Sequence, residues 1–350
     1  MPPNGENKGM ASRVLIVHTG GTLGMGMPGH RRLDLQAKEH LDRLVKQVPE
    51  LLEIADCELI SPFNLDSSDI NPGHWTQLAE LLVEKGGVGQ AGEGYDGIVV
   101  IHGTDTMAFT ASALALMLRN LDRPVVLTGS QRSLDAWRSD ARANLASAVE
   151  VATMGLKEVV LVFGDVILRG CRAVKTDANS YRAFQAPGLS PLGTIGTQID
   201  VDWERVRQPS GPFQLQTAMD QRVMTVPLFP GLDAARVYDS VLASESHHRP
   251  RAVVLQAFGV GNIPRLGFLP LVQALGEATI PVIVGRQCLR GHTDLELYPG
   301  GRSLLDAGVI EARNMTYEAI IAKTMWGLPQ PEKSLQDWFS ENIAGEVNLH

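Results

Sequence analysis

Apolar positions along the chain fall into short runs rich in β-branched residues, and longer segments with helical spacing separate them. Continuous apolar runs of this kind are typical of strands buried on both faces of a parallel sheet. The first predicted strands are residues 14–18, 57–60, 98–101, 125–128 and 159–163, and the helices between them are residues 38–47, 71–84, 108–118 and 140–154. This alternation predicts a doubly wound α/β domain.

A polar segment with clustered proline and glycine at residues 209–212 interrupts the pattern and predicts a linker. A second, smaller α/β pattern follows, with predicted strands at residues 224–226, 252–257 and 282–284 and helices at residues 234–243, 269–277, 303–307, 316–325 and 334–342. We therefore expect two α/β domains, with a larger flavodoxin-like sheet in the N-terminal one. The expected boundaries are residues 1–205, a linker at 206–222, and residues 223–350.

Composition narrows the class of protein. A chain of 350 residues with 44% hydrophobic and 20% charged residues fits two globular domains with ample cores. A net charge of −8 supplies no basic surface for nucleic acid, so we expect no nucleic-acid partner. Residues 1–12 lack the apolar core of a signal peptide, and no run approaches the ~18 apolar residues of a membrane span. We expect a cytoplasmic protein without a membrane partner.

Several features that could indicate a metal or cofactor have simpler interpretations. Cys57, Cys171 and Cys288 are odd in number and far apart, which favours reduced thiols. The pair His247-His248 lacks the spacing of metal ligands. Residues 24–29 match G-x-G-x-x-G but begin past the predicted strand and place a proline where a helix should start. We expect neither a metal nor a cofactor.

Two glycine-flanked threonine strings follow predicted strands: Thr19-Gly20-Gly21-Thr22 and His102-Gly103-Thr104-Asp105-Thr106. Side chains at the carboxyl ends of parallel strands face the crevice in which open α/β sheets bind ligands. A threonine hydroxyl needs a proton acceptor within reach to become a nucleophile, and Thr104-Asp105 offers a hydroxyl and a carboxylate together. The alternative is that both residues cap the next helix, and for either string alone this remains open.

Taken together, the strings resemble the two signature motifs of the bacterial-type L-asparaginase and glutaminase family, specifically of the cytoplasmic type I L-asparaginases. The resemblance covers nearly the whole chain, although Leu23 stands where isoleucine or valine is usual. Supporting segments are Asp66-Ser67-Ser68-Asp69 and residues 169–175, 258–262, 287–288 and 307–310.

The resemblance implies that Thr22 attacks the side-chain amide carbon of asparagine, forms an acyl-enzyme and releases ammonia, after which water frees aspartate. It implies that Thr104, Asp105 and Lys175 handle protons and orient that water. Because the Asp105 carboxylate stabilises an ammonium group, we expect Lys175 to be mostly charged in the resting enzyme.

The resemblance also implies a substrate-binding set and an oxyanion hole. Backbone amides beside Gly21 and Thr104 would stabilise the oxyanion. The residues expected to contact the substrate are Gly21, Ser67, Ser68, Thr104, Asp105, Asn262 and Tyr298.

The chain departs from the family after the first string, because no tyrosine lies between Leu23 and Leu35 where the family carries one on a mobile loop. His30 lies near the expected place. Tyr298 resembles a tyrosine that enters the site from a neighbouring subunit in some cytoplasmic members. An aromatic residue beside the Pro299-Gly300-Gly301 turn is an equally acceptable interpretation.

Asn262 belongs to a segment, Gly259-Val260-Gly261-Asn262, that resembles the one through which a subunit reaches its partner's site. The resemblance therefore implies a homodimer or a dimer of dimers. The alternative is a turn asparagine that tolerates left-handed backbone geometry. Val174 and Gln256 flank the corresponding segments without an anion-binding group, which disfavours regulation by asparagine.

The expected function is hydrolysis of L-asparagine, with possible minor glutaminase activity, since one methylene changes binding by only about 1 to 3 kcal/mol in a simple pocket. One alternative is the ammonia-supplying subunit of a tRNA-dependent amidotransferase, which carries an additional amino-terminal domain, whereas few residues precede the first strand here. Another is a non-enzymatic amino-acid-binding regulator on the same fold.

Overall fold

The computed structural model describes residues 11–24, 37–90, 92, 94–242 and 248–348. Within these residues the chain forms two α/β units, the first on an eight-stranded sheet and the second on a four-stranded sheet. Among the residues described, no helix combines the length and the apolar content needed to cross a bilayer.

The N-terminal unit confirms the doubly wound prediction. Its helices are α1 (Ala37–Gln47), α2 (Leu51–Ile54), α3 (Pro72–Glu84), α4 (Met107–Met117) and α5 (Ala141–Ala152). Its strands are β1 (Arg13–His18), β2 (Asp56–Ile60), β3 (Gly97–Ile101), β4 (Leu118–Arg119), β5 (Val125–Thr128), β6 (Val159–Phe163), β7 (Val166–Arg169), β8 (Val174–Lys175), β9 (Phe184–Gln185), β10 (Gly193–Ile195) and β11 (Ile199–Val201). The parallel strands run in the order β2-β1-β3-β5-β6, which is the flavodoxin-like order.

The central strands are apolar throughout because both faces of the sheet are covered. Val14 and Ile16 of β1 pack with helices α1 and α5, whereas Leu15 and Val17 face α3 and α4. Helix α3 begins at Pro72 and is capped by Asn71, whose side chain accepts a hydrogen bond from the Gly73 amide at 3.0 Å.

The second unit carries a four-stranded parallel sheet whose strands pair in chain order. A two-residue strand, β12 (Gln214–Leu215), precedes it and pairs with β4. The strands of the sheet are β13 (Val223–Pro227), β14 (Ala252–Ala257), β15 (Val282–Arg286) and β16 (Ile310–Glu311). The helices are α6 (Ala234–Leu242), α7 (Arg265–Glu277), α8 (Pro299–Asp306), α9 (Tyr317–Gly327) and α10 (Leu335–Ser340). The domain boundaries at 205 and 223 remain a prediction.

Several elements differ from the sequence prediction. The sheet continues beyond β6 through the antiparallel strands β7, β10 and β11, which the sequence prediction missed. Helix α7 begins at Arg265 rather than at residue 269, although it contains Pro270. Burial of Phe268 in the core of this unit accounts for the additional turn. The expected linker is not wholly irregular, because it includes β12.

The carboxyl end of the described chain returns to the N-terminal unit just before Lys175. Arg172 Nε donates to the Gly345 carbonyl at 2.7 Å, and Cys171 Sγ donates to the Ala344 carbonyl at 3.3 Å. Arg172 is 2% exposed, so these bonds lie in the interior. The β8–β9 hairpin that carries Lys175 is therefore anchored at its base by the end of the chain.

Candidate active site

The first threonine string leaves the sheet through two glycines with left-handed backbone. Gly20 and Gly21 have φ of 119° and 85°, and a Cβ on Gly20 would lie 2.1 Å from the Leu65 carbonyl oxygen. Thr19 is buried, and its hydroxyl donates to the Ile101 carbonyl at 2.9 Å. Thr22 is half-buried at the start of a short 3₁₀ turn, and its hydroxyl has no hydrogen-bond partner within the described residues. Thr22 is thus the free hydroxyl of this string.

The second string lies directly against the first. Strands β1 and β3 are parallel neighbours with His18 opposite Ile101, so both strings leave the same edge side by side. A Cβ on Gly21 would lie 2.5 Å from the Gly103 Cα, and a Cβ on Gly103 would lie 2.6 Å from the Ser67 Oγ. Only glycines allow this approach. Each string places a threonine, Thr22 or Thr104, immediately after the contact.

Lys175 joins the second string to form a three-residue cluster. Its Nζ donates to Thr104 Oγ1 at 2.8 Å and to Asp105 Oδ1 at 2.6 Å. The Lys175 side chain is 19% exposed, whereas that of Asp105 is 68% exposed. The ammonium therefore sits on the protein side of the cluster, and the carboxylate faces the open crevice.

The helix-capping interpretation of the second string is wrong. Helix α4 begins at Met107, and its N-cap residue Thr106 makes no capping bond with its side chain. The Thr106 hydroxyl donates instead to the Ser67 carbonyl at 2.7 Å. Thr104 and Asp105 direct their side chains to Lys175, so both polar groups are committed to the cluster.

Ser67 and Ser68 are placed differently. Ser67 is 4% exposed and borders Gly103. Ser68 is exposed, and both its amide and its hydroxyl donate to Asp66 Oδ1, at 2.9 and 2.8 Å. The short 3₁₀ turn Ser67–Asp69 therefore begins against the glycine contact and ends in solvent.

Gln131 is a site residue that sequence reasoning missed. Strand β5 ends level with β3, with Thr128 opposite Ile101, so the loop after it leaves at the same edge as the strings. The Thr104 hydroxyl donates to Gln131 Oε1 at 3.4 Å, and Gln131 Nε2 donates to the Ala178 and Ser180 carbonyls at 3.2 and 3.1 Å. Its position just after a central strand was the signal available in the sequence.

Two backbone amides beside the glycine contact are available for a ligand. The N–H groups of Thr22 and Thr104 donate to no acceptor in the part of the chain that is described. Backbone amides directed at one point stabilise a developing oxyanion more strongly than water does, because they are already oriented.

Two further predicted site residues lie in the second unit. Asn262 is exposed, and its backbone exchanges hydrogen bonds with Phe258. The positive φ angles of this turn belong to Gly259 and Gly261 and not to Asn262, so the left-handed-asparagine interpretation is wrong. Tyr298 is 50% exposed at the N-cap of α8. Within the described residues, neither side chain hydrogen-bonds to the Lys175 cluster.

Three predicted features lie wholly or partly outside the described residues. His30 and residues 25–29 of the glycine-rich loop lie outside the described residues, as does His247. In the described ranges, no group of three or more His, Cys, Asp or Glu residues is arranged to hold a metal ion. Cys57, Cys171 and Cys288 are free thiols, and burial raises the pKa of Cys171 to about 12.

In comparisons with known proteins, both units match domain models of one family. A family model described as the N-terminal asparaginase domain matches residues 13–207, and one described as the glutaminase/asparaginase C-terminal domain matches residues 222–339. L-asparaginase 1 of Escherichia coli (strain K12) is 33% identical over 347 residues, which cover 95% of this chain and 97% of that protein. The solved thermostable L-asparaginase from Thermococcus kodakarensis superposes with a TM-score of 0.83 at 32% identity, covering 96% of this chain and 99% of the other.

Other relatives have different names. A glutamyl-tRNA(Gln) amidotransferase subunit of Pyrococcus abyssi is 31% identical, over 98% of this chain and 78% of that protein. The 60 kDa lysophospholipase of Mus musculus is 32% identical, over 97% of this chain and 63% of that protein. Identity at this level therefore leaves the substrate open.

Proposed function

Because the chain belongs to the asparaginase family, we propose that it hydrolyses L-asparagine to L-aspartate and ammonia through a threonine acyl-enzyme. The observation that carries this proposal is the Lys175 cluster beside the Gly21–Gly103 contact. This arrangement combines a free threonine hydroxyl, a charged proton-handling group and two unused amides at one edge of the sheet.

In the first half-reaction, Thr22 Oγ1 attacks the side-chain amide carbon and a C–O bond forms. The negative charge that develops on the amide oxygen is stabilised by the Thr22 and Thr104 amides. The hydroxyl proton passes to the amide nitrogen, the C–N bond breaks, and ammonia leaves. Thr22 then carries an aspartyl ester.

In the second half-reaction, water attacks the ester carbon and returns a proton to Thr22 as aspartate leaves. Thr104 orients the water because its hydroxyl is itself fixed by Lys175 and Gln131, at 2.8 and 3.4 Å. Lys175 acts as a charged partner that shuttles protons transiently, since Asp105 lies 2.6 Å from its Nζ.

The substrate's α-ammonium and α-carboxylate groups are assigned to the polar side chains around the crevice. Asp105 presents an exposed carboxylate that suits the ammonium, and the Ser67 and Ser68 region would hold the carboxylate. Asn262 and Tyr298 are both exposed and lie in the second unit, which supports their contribution from a neighbouring subunit. We therefore propose a homodimer or a dimer of dimers that functions in the cytoplasm.

A second candidate is ammonia supply within a tRNA-dependent amidotransferase. The match to the Pyrococcus abyssi amidotransferase protein over 98% of this chain favours it. Both candidates share amide hydrolysis and differ in the substrate, since the family chemistry acts on asparagine in one and on glutamine in the other.

Ammonia release by the purified chain, with asparagine and glutamine compared at equal concentration, tests the proposal. We expect release from asparagine to exceed that from glutamine, and loss of both activities in Thr22→Ala and Thr104→Val. Thr153→Ala is the matched control, because its hydroxyl bonds only the Glu150 carbonyl at the end of α5. Faster release from glutamine would favour the second candidate, and release from neither amide would refute both.

A further inference from the structure

A chain of buried polar groups runs from helix α3 to the peptide that precedes Thr104. Trp75 Nε1 donates to Thr110 Oγ1 at 2.9 Å, and Thr110 Oγ1 lies 2.9 Å from His102 Nε2. His102 Nδ1 lies 2.7 Å from the Gly103 carbonyl oxygen. His102 is 0% exposed, and neither half-reaction described above uses it.

The partners determine which ring nitrogen carries the proton. A carbonyl oxygen can only accept, so His102 Nδ1 must donate to Gly103. Burial lowers the pKa of His102 to about 4, so the ring is neutral at pH 7 and Nε2 is an acceptor. Thr110 then accepts from Trp75 and donates to His102, so the hydrogen-bonding groups of these three side chains are satisfied.

The Gly103 carbonyl, at which this series of hydrogen bonds ends, belongs to the peptide bond that joins Gly103 to Thr104. The other end of that peptide bond is the Thr104 amide. The described residues contain no cis peptide bond, so the C=O of Gly103 and the N–H of Thr104 point in opposite directions. Holding the carbonyl against the buried ring therefore directs the amide away from the core. Ser67 and Gly21 also lie close to the Gly103 backbone, since a Cβ on Gly103 would lie 2.6 Å from the Ser67 Oγ and 3.3 Å from the Gly21 Cα.

We propose that His102 is a positioning residue: its Nδ1–H fixes the Gly103–Thr104 peptide so that the Thr104 amide and hydroxyl face the reacting amide of the substrate. This inference rests on the proposed amidase function. A neutral, buried donor suits this role because its orientation does not change with pH in the working range.

A histidine that only fills space would tolerate any side chain of similar size, whereas a positioning donor requires a nitrogen at one place. The amide nitrogen of asparagine is attached to Cγ, as Nδ1 is in histidine, so His102→Asn can keep the donor. The amide group of glutamine is attached one atom further out, so its oxygen can take the place of Nε2 and accept from Thr110. His102→Gln therefore keeps the contact with Thr110 and loses the bond to Gly103.

Steady-state kinetics of ammonia release from asparagine distinguish these cases. We expect His102→Asn to retain kcat within about threefold, and His102→Gln to lower kcat by about 100-fold with an unchanged KM, because an oxyanion donor acts mainly in the transition state. Equal loss of kcat in both variants, or a raised KM with normal kcat, would overturn the proposal.

A second pair of variants, at Thr110, leaves the imidazole ring of His102 unchanged. Thr110→Val removes the hydroxyl that anchors Nε2, and we expect kcat to fall about tenfold, the effect of one lost hydrogen bond. Thr110→Ser keeps the hydroxyl and should restore kcat. A serine variant as impaired as the valine variant would count against positioning.

Nitrogen-15 NMR of the wild-type protein gives a readout that does not depend on turnover. We expect the His102 ring to be protonated on Nδ1 at pH 7, and protonation on Nε2 would overturn the proposal. A wild-type protein that releases no ammonia from either amide would instead contradict the proposed function. The two failures are therefore distinguishable.

Discussion

Replacement of Lys175 by methionine should show that the cluster of Lys175, Thr104 and Asp105 contributes more to catalysis than to folding stability. The partner carboxylate of Asp105 is 68% exposed, so removal of the ammonium leaves a solvated charge rather than a buried one. A pair this open contributes at most about 1 kcal/mol, and methionine retains most of the packing of the lysine stem. We expect a free energy of unfolding lower by about 1 kcal/mol, and a melting temperature lower by about 2 to 4 °C.

The effect on turnover should be much larger. Lys175 Nζ holds both Thr104 Oγ1, at 2.8 Å, and Asp105 Oδ1, at 2.6 Å, so the substitution removes the charge and releases the group that orients water. Positioned proton-transfer groups contribute about 10²- to 10⁴-fold in rate. We expect kcat for asparagine to fall by at least about 100-fold, measured as ammonia release on protein with a normal melting curve.

Lys85→Met is the matched control, because Lys85 forms an exposed ion pair with Glu84 on α3, with side chains 60% and 72% exposed. It should change neither kcat nor the melting temperature. The reasoning is refuted if Lys175→Met loses less than about tenfold in kcat. A fall in melting temperature above about 8 °C would also refute it, since the cluster would then be chiefly structural.

Three other predictions follow from the structure. Glu346→Gln leaves the ammonium of Lys323 buried at 0% exposure without its carboxylate, so urea denaturation should show a loss of about 3 to 5 kcal/mol, and a loss below about 1 kcal/mol would contradict it. Burial lowers the pKa of His102 from 6.5 to about 4. Its contribution to the free energy of unfolding is therefore complete above about pH 6.5 and is lost as the pH falls towards 4. Urea denaturation should show that the wild type loses about 3 kcal/mol more than His102→Asn over this range, and identical pH profiles would count against neutral burial. Tyr298→Phe should lower kcat more than tenfold if the tyrosine completes a neighbouring subunit's site, and near-normal activity excludes it from the mechanism.

The sequence was most informative where burial on both faces makes a strand apolar throughout. β1 and β3 were predicted within one residue because every side chain from Val14 to His18, and from Ile98 to Ile101, is buried. β10 and β11 escaped prediction because they are three residues long with mixed burial. In segments this short, hydrophobic periodicity and composition give little evidence for a strand.

The candidate site also contains some features that the sequence predicted and others that it did not. The sequence places Thr22 and Thr104 at strand ends, but their contact depends on Gly21 packing against Gly103, a backbone approach that glycine permits and does not by itself predict. Lys175 was assigned by resemblance alone, since 71 residues separate it from Thr104. Gln131 was missed because its position depends on the register of β5 against β3.

The central claim is that Thr22 forms the acyl-enzyme, and mass spectrometry of peptides from enzyme quenched during turnover of L-asparagine tests it most directly. We predict an increase of one aspartyl group on the peptide that carries Thr22, and none in Thr22→Ala. An adduct on the peptide that carries Thr104, or undiminished ammonia release by Thr22→Ala, would contradict the account.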